Sequence, residues 1–137
     1  MAHWLLKTEP GDYSWERFVA DGRTVWDGVR NFQAAANMRA MQVGDEAFFY
    51  RSMKDPAVVG IMRIVREAYP ASDDPKEKFV LIEVEPVAPL PEPVSLAAVK
   101  AEASLQDLAL VRQSRLSVMP ISDAAWALIL RMGGHAD

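Results

Sequence analysis

VVGIMRIVREA, residues 58–68, is crowded with β-branched side chains over a length that suits a strand. EAFFYRS (46–52) precedes it and FVLIEVEPV (79–87) follows it, and both share its bias toward β-branched and aromatic residues. The third run alternates Val80, Ile82 and Val84 against Leu81, Glu83 and Glu85, the period of a strand with two unlike faces. Three such runs in succession predict a β-rich centre. Two stretches read as loops. PASDDPKEK (70–78) is polar and twice interrupted by proline, and PVAPLPEP (86–93) holds four prolines in eight residues, which favours an extended connection.

Outward from this centre, His3 to Thr8 reads as a short strand. Ser14 can cap the helix WERFVAD, which Gly22 ends. Val25 to Val29 is an apolar stretch containing Gly28. Phe32 to Met41 carries Ala34, Ala35, Met38 and Met41 at helical spacing, with Gly44 as a stop. Ser95 and Ser104 are expected to cap two short helices, the second from the capping-box-like SLQD. Ser122 is expected to cap AAWALILRM, which ends at Gly133-Gly134. Strands in the middle with helices around them predict an α+β domain with a curved, mainly antiparallel sheet. A sheet of about five strands commonly curls toward a barrel to dispose of its edges.

The chain has 137 residues, 50% of them hydrophobic, which predicts one domain over residues 1–137 with a core of its own. It has no cysteine, which excludes disulfides, Cys-ligated metals and a thiol nucleophile. A net charge of −4 argues against binding nucleic acid through bulk positive charge. The apolar run near the N-terminus is too short for a signal peptide, and no stretch approaches the roughly 20 apolar residues of a membrane span. These features predict a soluble, cytoplasmic protein.

Most catalytic motifs are missing. There is no glycine-rich phosphate loop, no GxSxG elbow and no HExxH. The two histidines, His3 and His135, lie at opposite ends of the chain. Neither a metal nor a cofactor is expected. Glu9, Asp27 and Asp45 stand in the most unusual segments, where they can cap turns, pair with arginines or, if burial raises the pKa, serve as a general acid.

Three segments carry groups suited to ligand binding. VWDGVRN (25–31) combines an aromatic face in Trp26, a close-approach glycine in Gly28, a cation in Arg30 and a two-way amide in Asn31. Those groups can hold a flat heterocycle, with Trp26 as the stacking wall. They also suit a core tryptophan beside a surface ion pair. VRQSRLSV (111–118) is dense in donors, from Arg112, Gln113, Ser114, Arg115 and Ser117, that suit phosphate oxygens or base edges. It can equally be a connector whose arginines satisfy carboxylates. In FFYRS (48–52), Tyr50 and Ser52 share a face, Arg51 takes the other, and Phe48 and Phe49 suit a core.

WLLKTEP (4–10), YSW (13–15), WDGVRNFQA (26–34), GD (44–45), FFYRS (48–52), VVGI (58–61), REAYP (66–70) and VRQSRLSVMP (111–120) together resemble the EVE domain in sequence and order. The resemblance covers about residues 3–130. It implies a PUA-like fold, a small barrel-type sheet flanked by helices and related to the YTH domain. It further implies a module that binds RNA or DNA by holding a modified, flipped-out base in an aromatic-walled pocket. Carried over by position, that pocket draws on Trp26, Asn31, Tyr50, Ser52, Ser114, Leu116 and Ser117. Lys7, Arg30, Arg112 and Arg115 are the implied phosphate or edge contacts.

The chain departs from the family pattern at Arg51-Ser52-Met53, where members often carry His-Ser-Asn, and at Ala34-Ala35-Ala36, where they are often more polar. The expectation is a non-enzymatic, monomeric reader of a modified base with nucleic acid as its partner. Two alternatives stand beside it. One is an enzyme acting on a modified nucleobase with Glu9 or Asp27 as general base. The other is an interaction module that captures a methylated group on a protein.

Overall fold

The computed structural model describes residues 2–9, 11–71 and 79–135. Its strands are β1 (His3–Thr8), β2 (Thr24–Trp26), β3 (Glu46–Arg51), β4 (Ala57–Pro70), β5 (Val80–Ser95) and β6 (Val118–Ile121). They form one sheet in the order β2-β5-β4-β3-β1-β6. All neighbours are antiparallel except β1 and β3, which run side by side in parallel. The helices are α1 (Trp15–Asp21), α2 (Phe32–Ala40), α3 (Leu96–Ala101), α4 (Ala109–Arg112) and α5 (Asp123–Met132). The expected α+β architecture with a mainly antiparallel sheet is what forms.

The sheet curves without closing. The pairing of β4 with β5 slips at four places, between Val58 and Gly60, Ile61 and Met62, Ile64 and Arg66, and Arg66 and Tyr69. Each slip adds local bend and twist to the long ribbon. The edge strands β2 and β6 do not pair, and α2 packs against both β5 and β6. The Asn37 side-chain amide donates to the Val118 carbonyl at 2.8 Å and ties α2 to the edge strand.

Local chemistry explains several helix ends. Ser14, Ser95 and Ser122 each accept a hydrogen bond from the backbone N–H three residues on, capping α1, α3 and α5. Gly22 ends α1 in the left-handed region at φ 74°. Ser104 is not a cap. It lies inside a 3-10 turn (Ala103–Leu105) whose N–H at Ser104 is accepted by Glu102. The Gln106 amide then donates to the carbonyls of Lys100 and Glu102, both at 2.8 Å, and the chain turns before a longer helix can start.

PVAPLPEP is strand rather than connection, since it forms the second half of β5. Beyond Val84 this strand has β4 as its sheet neighbour and no pairing with β2, and its register there is irregular. Proline is accommodated at such edges and bulges because few ladder donors are required. VMPI (118–121) forms β6, a strand not among those expected from the sequence. Of the expected loop at 70–78, Pro70 ends β4, Ala71 is buried, and residues 72–78 lie outside the described residues.

The strand β3 is central, and both its faces are buried. Phe48 stacks on Trp126 of α5 at 3.9 Å, and Trp126 stacks in turn on His3 at 4.3 Å. Phe49, the next residue, packs against Trp15, Phe18 and Trp26. Gly60 on β4 lets that second layer sit close, because a Cβ there would lie 2.5 Å from the Trp15 ring. Gly60→Ala is therefore expected to cost about 1–3 kcal/mol through overpacking, seen as a lower urea midpoint at unchanged slope. An unaltered midpoint would show that the indole can swing clear.

Glu83 on β5 accepts from Arg23 beside β2, and from Arg66 and the Tyr69 hydroxyl on β4. The Tyr69 hydrogen bond, with those from Arg66 and Arg23, holds the Glu83 pKa below the ordinary carboxylate value. This cluster secures the edge strand that presents Trp26. No helix among the described residues is long and apolar enough to cross a membrane.

Candidate functional site

A parallel pair places two strand C-termini at the same end of a sheet, so β1 and β3 finish together with Lys7 opposite Tyr50 and Thr8 opposite Arg51. The strand β6 runs against β1 and begins opposite Leu6, which brings the preceding loop, residues 113–117, to that end as well. The Lys7 N–H donates to the Ser117 carbonyl at 2.9 Å and locks the arrangement. The curvature of the sheet swings the end of β2 around to face them. The result is a cleft of about 840 Å³ with Lys7, Trp26, Tyr50, Ser52, Ser114 and Ser117 in its wall.

Trp26 and Tyr50 are almost fully buried, at 7% and 2% exposure, so the cleft reaches part of each ring. Trp26 meets Phe49 edge-on at 5.8 Å and 89°, a contact that fixes the plane of its indole. Trp26 is thus a core tryptophan whose exposed part lines the cleft. Gly28 follows at φ 76°, a left-handed turn that carries the chain from β2 along the cleft edge.

Lys7 Nζ donates to the Ser114 carbonyl at 3.0 Å and stands 5.7 Å from the centre of the Tyr50 ring. Burial lowers the Lys7 pKa and raises that of Tyr50. The first shift means that an anion brought into the cleft would offset a desolvation cost the ammonium already bears. The second keeps the Tyr50 phenol neutral and able to donate or accept. Ser52 donates its N–H and its hydroxyl to the Thr8 carbonyl, at 2.9 and 3.1 Å. With its hydrogen so used, Ser52 Oγ has lone pairs to offer a donor on a ligand.

Arg30 and Arg115 also line the cleft. Arg30 donates to the Val29 carbonyl at 3.1 Å, and its guanidinium lies 5.4 Å from the centre of the Phe79 ring. Asn31, Arg112 and Leu116 are not part of this cleft. They line a neighbouring cavity of about 320 Å³, which Ser114 and Arg115 border too. Asn31 caps α2, its Oδ1 accepting from the Ala34 N–H at 2.9 Å. Arg112 is paired with Asp107 at 3.0 Å and donates to the Gln106 carbonyl. Leu116 is buried.

Several cleft residues had no sequence signal. Leu96 and Leu110 come from short helices far along the chain, and Asp12 and Pro56 come from turns. Glu9 and Asp27 line the cleft as well, whereas Asp45 is a buried structural carboxylate in the turn that leads into β3. Lys7, Arg30 and Arg115 thus share the cleft with Glu9, Asp12 and Asp27. Such a mixture offers local contacts to both donors and acceptors and lacks the uniform positive field that coats a phosphate backbone. Neither histidine lines it. His3 is stacked on Trp126 and bonded to Asp123 at 3.1 Å. Among the described residues no group of side chains is arranged to hold a metal.

The fold and this cleft can be set beside known proteins. A family model of the EVE domain matches residues 2–132. The chain is 32% identical to human thymocyte nuclear protein 1, over 96% of this chain and 73% of that protein. A protein from Rhodopseudomonas palustris, solved by NMR, is 48% identical with a TM-score of 0.93, covering 98% of this chain and 94% of its own. Human THYN1 protein, solved in complex with 5-methylcytosine-containing DNA, is 30% identical with a TM-score of 0.91 over all of both chains. The YTH domain of Zygosaccharomyces rouxii MRB1, solved with N6-methyladenosine RNA, is 13% identical with a TM-score of 0.58. It covers 99% of this chain and 88% of its own, and the likeness extends to the PUA-like fold alone. Matched by that family model over residues 2–132, the chain belongs to the EVE domain family.

Proposed function

We propose that this protein binds nucleic acid carrying a modified base and takes that base, flipped out of its stack, into the cleft beside Trp26, without transforming it. The observation that carries the reading is the convergence of Trp26, Tyr50, Lys7 and Ser52 on one opening of about 840 Å³. That volume falls in the range of small-ligand sites, and its aromatic walls with a few polar groups are the usual composition. The base would stack on the exposed part of Trp26, and Ser52 Oγ and the Tyr50 hydroxyl would meet its edge. Lys7, Arg30 and Arg115 would hold neighbouring phosphates. The complex of human THYN1 protein with 5-methylcytosine-containing DNA supports the choice of ligand class.

Extruding a base costs a few kcal/mol in a duplex, and stacking on an aromatic ring returns about 1–3 kcal/mol. Trp26→Ala is accordingly expected to weaken binding about 10- to 100-fold in a titration with a DNA strand bearing one 5-methylcytosine. The few cations at the cleft predict a shallow salt dependence, because the slope grows with each phosphate neutralised. Affinity that survives Trp26→Ala unchanged, or no binding to modified and unmodified strands alike, would sink the assignment.

One observation favours a second reading. Glu9 and Asp27 line the same cleft, where either could act as a general base toward a bound nucleobase. Release of an altered base from the bound strand, abolished by Asp27→Asn with binding retained, would establish it.

A further inference from the structure

Met53 is 70% exposed, the most exposed large apolar side chain among the described residues, and it lies on the wall of the cleft that holds Trp26 and Ser52. Its backbone is left-handed at φ 69°, a region a side chain with a Cβ adopts only at a cost. The turn is held from both sides. Ser52 is fixed to the Thr8 carbonyl by its N–H and its hydroxyl, and Arg51 Nε donates to the Asp55 carbonyl at 2.9 Å. Asp55 is itself left-handed at φ 50°. An unfavourable backbone, secured by three hydrogen bonds, thus displays an apolar group to water at the mouth of a binding cleft. Strain of this kind persists where the surroundings impose it, and it is concentrated at functional sites.

Resting on the base-binding reading of the cleft, we propose that Met53 enters the gap which an extruded base leaves in a duplex, so that the partner is a double strand. A base withdrawn from a duplex leaves its two stacked neighbours facing a void. An apolar side chain that fills the void restores contact on both faces, and methionine is among the apolar side chains that proteins insert between base steps. Met53 meets the requirements of position and exposure. It stands beside the opening into which the base would turn, on a turn anchored to the C-terminal end of β1. Lys7, Arg30 and Arg115 share that opening and suit the phosphates on either side of the gap. A single strand has no such void, so there the wedge has nothing to do.

The test uses the full chain with a DNA duplex carrying one central 5-methylcytosine, and with the modified strand alone. Met53→Ala should weaken duplex binding on the order of tenfold and leave single-strand binding within about twofold. Met53→Leu should keep most of the duplex affinity. Met53→Gly should also weaken duplex binding while raising the unfolding midpoint, since glycine accepts φ 69° without strain. A residue with a purely structural role would lower the midpoint instead. Equal losses on duplex and single strand, or an unchanged duplex affinity, would overturn the wedge and leave the base-binding cleft standing. If the wild-type protein bound neither probe, the cleft assignment and the wedge would fall together.

Discussion

Phe49→Ala is expected to lose about 3–5 kcal/mol of folding stability, the usual cost of emptying a large buried aromatic site. Phe49 is 1% exposed and touches three other rings, with Trp15 at 5.3 Å, Phe18 at 5.6 Å and Trp26 at 5.8 Å. With Phe49 itself on β3, the cluster draws its rings from α1, β2 and β3. Each aromatic contact adds about 0.5–1.5 kcal/mol beyond the area buried. The loss is measured by urea unfolding, and the same variant carries a second readout. Trp26 owes the plane of its ring to Phe49, so any Phe49→Ala protein that folds should also bind a 5-methylcytosine strand more weakly. A drop below about 1 kcal/mol would mean that the cavity collapses and that the aromatic cluster is not what joins these elements.

Asp45→Ala is expected to cost roughly 3 kcal/mol through a different cause. Asp45 is 3% exposed and is the buried charged residue among those described. Its Oδ2 accepts from Trp4 Nε1 and from the Gln42 N–H, both at 3.0 Å, and its Oδ1 accepts from the Ala2 N–H at 3.2 Å. Truncation strands the buried Trp4 Nε1 donor at about 1–3 kcal/mol, and the part-buried N–H groups of Gln42 and Ala2 lose their acceptor as well. Asp45→Asn is the informative partner, because its carbonyl oxygen can still face Trp4 and Gln42. It should recover more than half of the loss in thermal or urea unfolding. If both variants were equally unstable, the negative charge and not the acceptor geometry would be what the site requires.

The strands that build the sheet were legible because a strand buried on one or both faces needs β-branched and aromatic residues in runs. EAFFYRS, VVGIMRIVREA and FVLIEVEPV announced β3, β4 and β5 within a residue or two at most ends. Ser14, Ser95 and Ser122 were legible as caps because the demand for an N-cap acceptor is local. The proline-rich half of β5 and the four-residue β6 were not. Their pairing depends on a partner strand distant in the chain, and a short edge strand needs little intrinsic propensity once its neighbour supplies the hydrogen bonds. Ser104 misled for a related reason, since Gln106 and Glu102 claim the turn before a helix can extend.

The same division runs through the site. Residue types and their order along the chain were sufficient to indicate the family, the α+β class and the segments around Trp26, Tyr50 and Ser114. Those depend on local patterns that survive in one dimension. Which members meet was decided by the tertiary structure alone. The parallel pairing of β1 with β3 puts Lys7 beside Tyr50, and the bend of the sheet brings Trp26 around to them. Helix capping draws Asn31 to the Ala34 N–H, and an ion pair draws Arg112 to Asp107, so both stand at the adjoining cavity. Met53 and the carboxylates Glu9, Asp12 and Asp27 join the cleft through turns whose direction no periodicity encodes. A cleft is a relation among distant backbone ends, and only the folded register of the strands determines it.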